Sequence, residues 1–191
     1  MSIKLEGPWQ KGLAYDVHTL ESTYLVTNES GRDRWENKRT VMGELVYQLK
    51  YRGEKRNVKK IIDLITARIK GLESFDAIVP IPPSKNRNFQ PVIEIAKELG
   101  KRKRVRVLEI LYKTGTDKEL KNIDETEERK STLKKTMKLS DGADISGKKI
   151  LLFDDLYRSG ATLEVAANLL LKKGKAELVS VLVLTKTRSN R

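Results

Sequence analysis

The longest apolar runs lie near the carboxyl end of the chain. "KKILLFDD", residues 148–155, and "LVSVLVLT", residues 178–185, are almost uninterrupted apolar segments of strand length. Such runs mark strands covered on both faces. Between them Val165, Ala166, Leu169 and Leu170 fall at helical spacing and predict a helix over about 161–173, ended by Gly174. Upstream, "FDAIVP", 75–80, reads as a strand stopped by proline and "IPPSKNRN" as a loop. A helix is predicted over about 89–99 with Gly100 just past its end, then a strand at "VRVL", 105–108, and another at "TMKLSD". Residues 113–130 are almost wholly polar and lack a core face, which fits a mobile loop or lid, partly helical near its end. The order from residue 75 is therefore β-α-β-lid-β-α-β, the pattern of an α/β fold with a mainly parallel sheet flanked by helices.

The first 72 residues are patterned differently. "LAYDVHTLESTYLV" alternates over short pieces and predicts a strand pair or hairpin. From about Arg34 to Tyr51, Val41, Leu45, Val46 and Leu49 share a helical face. A second helical face, Val58, Ile61, Ile62, Ile65 and Ile69, is closed by Gly71 as the expected C-cap. The chain thus divides into an N-terminal extension, 1–72, and a core, 73–191, carrying the lid at about 113–130.

With 191 residues the chain is long enough to bury one substantial core. It holds no cysteine, which excludes disulfides and thiolate metal sites. No apolar run approaches the ~20 residues of a membrane span, and "MSIKLEGPWQKG" lacks the apolar region of a secretory signal, so a cytoplasmic location is expected. The net charge of +13 has two readings, a solvated lysine-rich surface or an anionic partner. The densest basic run, "KRKRVRV" at 101–107, alternates with valine and reads as an exposed strand.

The sharpest chemistry is in "ILLFDDLYRSGAT", 150–162. Ligands of such sheets bind beyond the carboxyl ends of the strands. Asp154 and Asp155 end one strand, and the turn after them feeds a helix N-terminus, whose free N–H groups and dipole attract anions. Ser159 and Thr162 add hydroxyls, and Gly160 allows close backbone approach. Paired carboxylates repel phosphate but accept hydrogen bonds from sugar hydroxyls. One ligand that satisfies both halves is a ribose 5-phosphate. The bland alternative is a strand-end acidic pair followed by a Ser or Thr N-cap.

This stretch closely resembles the motif with which type I phosphoribosyltransferases bind phosphoribosyl diphosphate (PRPP). The resemblance implies that Asp154 and Asp155 hold the ribose hydroxyls and that Tyr157, Arg158, Ser159, Gly160, Ala161 and Thr162 cradle the 5′-phosphate. "LKYRG" at 49–53, "DAIVPIP" at 76–82 and "NFQ" at 88–90 are similar to the ComF-like (competence protein F-like) branch, over roughly 35–187. In that family the loop after "VPIP" contacts the diphosphate, which points to Pro82, Pro83, Ser84, Lys85, Asn86 and Arg87. The chain departs from the pattern in three ways: it has no paired-cysteine zinc ribbon, its diphosphate loop is shorter and less basic, and Thr132 stands where an asparagine is expected three residues after Arg129.

The family reaction displaces diphosphate from C1 of PRPP with a nitrogen nucleophile such as a nucleobase, assisted by Mg²⁺. No direct protein ligand for the metal is assigned. A cationic ribose in the transition state would benefit from Asp154 and Asp155, and the lid would exclude water, with Lys113, Lys121 and Arg129 as its candidate cations. The hood that recognises the base in relatives would come from 1–72, where Trp9 and Trp35 either stack on a base or, more simply, pack the hood. His18, the lone histidine, reads as a bystander. The rival reading is an accessory protein of DNA uptake or processing that binds nucleotides or single-stranded DNA through Arg102, Lys103, Arg104 and Arg106; a PRPP-sensing regulator ranks third. A homodimer is among the assemblies to be expected.

Overall fold

A computed structural model of the chain describes residues 2–27, 30–31, 33–83, 88–114 and 126–188, with the backbone alone described for 126–129. The two apolar runs are the central strands of a six-stranded sheet. Its elements are β1 (Ile3–Lys4), β2 (Lys11–Val17), β5 (Ala77–Pro80), β6 (Arg106–Val107), β9 (Lys149–Tyr157) and β10 (Leu178–Lys186). They lie in the order β1-β2-β10-β9-β5-β6, and only β1 is antiparallel to its neighbour. The expected α/β architecture, a mainly parallel sheet flanked by helices, is the one observed.

Alternation along β9 explains why its sequence is apolar throughout. Ile150 and Leu152 enter one core layer, and Leu151 and Phe153 enter the other. On the second side lie α1 (Val41–Tyr51), α2 (Asn57–Arg68) and α3 (Pro91–Lys103). The α2 face works as the spacing predicts: Ile61, Ile62 and Ile65 are fully buried, each such burial being worth about 1.5–3 kcal/mol. The first side is covered by α4 (Thr126–Thr136) and by α5 (Ala161–Asn168), which runs on as a π turn, Leu169–Lys173, to Gly174. Among the described residues no helix is long and apolar enough to cross a membrane.

Several boundaries differ from the expected ones. The segment 33–39 is not the start of a helix. It is β4 (Asp33–Arg39), paired antiparallel with β3 (Thr19–Thr27) in a ribbon outside the main sheet. The hairpin is therefore β3–β4, while Leu13, Ala14 and Tyr15 belong to β2 in the main sheet. The first helix begins only at Val41, where the Thr40 hydroxyl accepts from the Gly43 N–H at 3.0 Å. Gly71 does not cap α2, which ends at Arg68 with Ile69 extended; with φ of 76° it instead opens a short 3-10 turn, Leu72–Ser74. The α3 helix passes through Gly100 because its backbone packs on Val105 and Val107, where a Cβ would come within 2.6 Å of the Val105 carbonyl; it ends at Arg104 in the left-handed conformation. "KRKRVRV" is thus mostly a helix end, with only Arg106 and Val107 in a strand.

The sheet does not break at residue 72. β1 and β2 are strands of it, and α1 and α2 cover one face, so the part of 1–72 that stands outside the core narrows to the β3–β4 ribbon. Because β2 runs parallel to β10, its end at Val17 lies on the same edge as the ends of β9 and β10. The ribbon rises from that edge. Its return is pinned where the Thr40 hydroxyl donates to the Val17 carbonyl at 2.7 Å. A second small ribbon, β7 (Leu111–Lys113) with β8 (Met137–Leu139), forms the stem of the polar segment. Residues 115–125 of the expected lid lie outside the described residues.

Candidate functional site

β9 does not stop before the aspartates. Its pairing with β10 continues through Asp154–Val183, Leu156–Thr185 and Tyr157–Lys186. The two carboxylates therefore alternate like any strand residues. Asp155 continues the Leu151–Phe153 face toward α1, and Asp154 continues the opposite face. This separation lets each meet a different environment at the carboxyl edge.

Asp155 is 5% exposed, and the Lys50 ammonium from the last turn of α1 sits 2.7 Å from its Oδ2. The Asp155 N–H donates to Asp154 Oδ1 at 2.8 Å, tying the pair together. The Asp155 carbonyl accepts from the buried Thr185 hydroxyl at 2.9 Å. That hydroxyl is in turn 3.1 Å from His18 Nδ1. Since the single hydroxyl proton goes to the carbonyl, the histidine must donate through Nδ1. His18 is thus no bystander: it ends a chain of hydrogen bonds that holds the backbone of Asp155, and it sits where β2 turns into the ribbon.

Electrostatics follow from this packing. Burial lowers the His18 pKa, and the nearby Arg39 charge lowers it further, so the neutral ring is favoured. Burial also works against the Lys50 ammonium, but the charge and hydrogen bond of Asp155 outweigh it and leave the lysine pKa raised. Asp154 is pushed up to about 7, first by burial and then by the adjacent Asp155 charge, with the Asp155 N–H, Lys50 and Lys113 pulling the other way. The acidic pair thus takes up a proton near neutral pH, which suits a group that both accepts and donates hydrogen bonds to hydroxyls.

Both aspartates line a cavity of about 400 Å³ at the carboxyl edge, together with Lys50, Tyr51, Pro83, Lys113 and Thr162. Gln90 and Pro91, at the start of α3, close another side. Cavities of this size hold small molecules. From the turn and helix start that follow the aspartates, Thr162 lines it, and Tyr157 to Ala161 do not. Gly160, at φ of 80°, is the N-cap residue of α5, and no side chain caps that helix. Ser159 and Thr162 therefore do not serve as the N-cap that the bland alternative required. Ala161 is buried and offers only backbone, Arg158 is exposed, and Tyr157 is half-buried beneath Lys186, whose ammonium is 5.8 Å from the ring centre. The Tyr157 hydroxyl crowds Gly160: a Cβ there would lie 2.6 Å from it.

The structure brings Asp154, Asp155, Pro83, Lys113 and Thr162 to one cavity. Ser84, Lys85, Asn86, Arg87 and Lys121 lie outside the described residues, as does the Arg129 side chain. Lys130, next in α4, pairs with Glu164 of α5 at 2.8 Å, joining the far end of the polar segment to the helix behind the turn. Lys50, Tyr51, His18 and Thr185 received no site role from the sequence. Lys50 and Tyr51 lie within "LKYRG", but nothing local in that motif tells which side chain reaches a strand 100 residues away. Trp9 is buried and donates to the Leu5 carbonyl at 2.9 Å, so it packs the core and does not stack on a base. Trp35 is 52% exposed on the ribbon, edge-on to Tyr24. Of the basic cluster, Arg102 pairs with Asp63 at 3.2 Å and Lys103 with Glu73 at 3.1 Å.

No group of three or more His, Cys, Asp or Glu that could hold a metal occurs among the described residues. Asp155 is already ion-paired to Lys50, and Asp154 is the second carboxylate of the cavity.

The family model described as the phosphoribosyl transferase domain matches residues 52–191, well over half of the chain. Among curated proteins none matches significantly. Similar solved structures include adenine phosphoribosyltransferase from Thermoanaerobacter pseudethanolicus (16% identity, 79% of this chain and 77% of that one, TM-score 0.47). Orotate phosphoribosyltransferase from Aeropyrum pernix is 14% identical over 86% of this chain and 74% of that one, TM-score 0.46. Adenine phosphoribosyltransferase from Saccharomyces cerevisiae is 14% identical over 86% and 83%, TM-score 0.47.

Proposed function

Because the chain belongs to the phosphoribosyl transferase domain family, we propose that its carboxyl-edge cavity binds PRPP and that it transfers ribose 5-phosphate to a nitrogen nucleophile with release of diphosphate. The observation that carries this reading is the junction of two carboxylates with a helix N-terminus that no side chain caps. Hydroxyl-accepting groups and an anion site adjoin, as a ribose 5-phosphate requires.

In this reading Asp154 and Asp155 accept the ribose hydroxyls, and Tyr157 to Thr162 hold the 5′-phosphate mainly through backbone N–H groups. The ribose gains positive charge at C1 as the bond to diphosphate breaks, and the fixed carboxylates stabilise it electrostatically. Lys113, at the cavity wall, attracts the departing diphosphate, as would Lys85 and Arg87. Mg²⁺ would arrive on the diphosphate oxygens, which it prefers to a protein cage. The β3–β4 ribbon, rising from the same edge, supplies the hood, and a nucleobase is the acceptor class. "LKYRG" and "NFQ" support the ComF-like branch. Within that branch the DNA-binding alternative would use Arg102, Lys103, Arg104 and Arg106, of which Arg102 and Lys103 form surface ion pairs with Asp63 and Glu73.

The test is calorimetric titration of PRPP with Mg²⁺. The Asp154→Asn/Asp155→Asn variant should lose PRPP affinity far more than affinity for inorganic phosphate, because carboxylates accept from hydroxyls and repel phosphate. Equal losses for both ligands, or no PRPP binding to the unaltered chain, would overturn the proposal. A screen of nucleobases for diphosphate release then identifies the acceptor.

A further inference from the structure

A second cavity, about 530 Å³, opens at the opposite edge of the sheet, where the parallel strands begin. Its existence follows from the length of α2. That helix stops at Arg68, Ile69 is extended and the 3-10 turn at 72–74 veers aside. The first residues of β9, β10 and β2 are left without a helix above them.

The register shows what they present. Lys149 pairs with Leu178; Leu151 pairs with Ser180, which pairs with Lys11; Leu182 pairs with Leu13. Directly paired residues point to one face, and every one of these lines the cavity. The face is graded. Leu13 and Leu178 are partly open, Leu151 and Leu182 lie buried beneath them, Ser180 pairs between Leu151 and Lys11, and the exposed Lys11, Lys70 and Lys149 line the cavity as well. Ile69, Leu72 and Phe75 form the other wall.

Ser180 is the anomaly. It interrupts "LVSVLVLT", is 7% exposed, and its hydroxyl makes no hydrogen bond to another described residue. The residue lines the cavity, so this hydroxyl is open to a ligand there. Lys11 and Lys149 make no ion pair among the described residues. Of the nearby acids, Asp76 accepts from the Lys149 N–H at 2.7 Å and Glu73 pairs with Lys103.

We propose that this cavity is a binding site for a small amphiphilic carboxylate, its apolar body on the leucines and its carboxylate reaching the Ser180 hydroxyl and the lysines. The site lies at the other end of the strands from Asp154 and Asp155, so its occupant is a second ligand and not part of the transferase substrate. Charge and shape act together here: an apolar lining alone would accept any hydrophobe, whereas the open hydroxyl and the lysines select an acid.

The test uses the intact chain, with anilinonaphthalene sulfonate as fluorescent probe and octanoate and octanol as competitors. One saturable site is expected, with octanoate displacing the probe better than octanol, and PRPP displacing neither. Lys11→Gln and Lys149→Gln, both exposed and tolerant of change, should each weaken octanoate about two- to fivefold while leaving octanol unaltered. Ser180→Leu, which narrows the cavity and removes the hydroxyl, should weaken both by at least about fivefold. Displacement by PRPP, or equal competition by octanoate and octanol in all forms, would overturn the proposal. So would a dimer in sedimentation that Ser180→Leu dissociates, because the cavity would then belong to a second copy of the chain.

Discussion

Lys50→Gln tests the arrangement on which the candidate site depends. The ammonium is 2.7 Å from Asp155 Oδ2, and the side chains of the two residues are 26% and 8% exposed. Removing one partner of a buried ion pair costs about 3–5 kcal/mol, because a desolvated charge is left behind. Water reaches the lysine side of this pair, so the expected loss is nearer 2 kcal/mol. Asp155→Asn alone should cost less, about 1 kcal/mol, since the lysine can turn its ammonium to solvent. In the double variant no charge is stranded, and the loss should not exceed that of Lys50→Gln. The cycle therefore predicts a coupling of about 1 kcal/mol or more. Urea unfolding of the four proteins at pH 7.5 measures it, and the coupling should change little between low and high salt because the pair is sheltered. Losses that simply add within about 0.5 kcal/mol would show that Lys50 does not neutralise Asp155 and would undo the account of the site's electrostatics.

Asp154 predicts a pH dependence. Its carboxyl titrates at about 7 in the fold against an ordinary 3.8, so the folded chain holds the proton more tightly. The associated stability is present below about pH 4 and is lost as pH rises through 7, by roughly 4 kcal/mol at most. Asp154→Asn should remove that slope, and urea midpoints that keep a constant offset between the two proteins from pH 4 to 8 would contradict it. Gly160→Ala should cost about 1–2 kcal/mol from the left-handed backbone alone, add a clash with the Tyr157 hydroxyl, and abolish PRPP binding. Tyr157→Phe should restore part of the stability, and full restoration would show that the conformation is not the obstacle. His18→Ala should lower stability by about 1 kcal/mol through the lost bond to Thr185; an equal effect of His18→Ala in a Thr185→Val background would disprove the hydrogen-bond chain.

The sequence made some of these features legible and hid others for definite reasons. Strands β5, β9 and β10 could be read because burial on both faces forces an unbroken apolar run, a signal confined to a few adjacent residues. The Ile61–Ile62–Ile65 face of α2 was equally local. The β3–β4 ribbon was obscured because neither of its faces enters the core. Without burial there is no period to detect, and Asp33–Arg39 was absorbed into the helix that follows. Gly71 and Gly100 misled as helix ends. A glycine marks either a left-handed cap or a close contact, and only the neighbour, such as the Val105 carbonyl beside Gly100, tells which.

The site divides along the same line. Asp154, Asp155 and the Gly160 turn stand in one continuous stretch, so order along the chain was enough to propose ribose and phosphate chemistry for them. Lys50 on α1, His18 at the end of β2 and Thr185 on β10 come from separate elements, and their contacts exist only because β2, β10 and β9 lie side by side in parallel. Pairing between distant strands leaves no mark on the spacing within either one. The same is true of the second cavity. Ser180 shows in the sequence as one hydroxyl in an apolar strand, but its meaning depends on α2 ending short of the sheet edge above it, a relation of lengths in space.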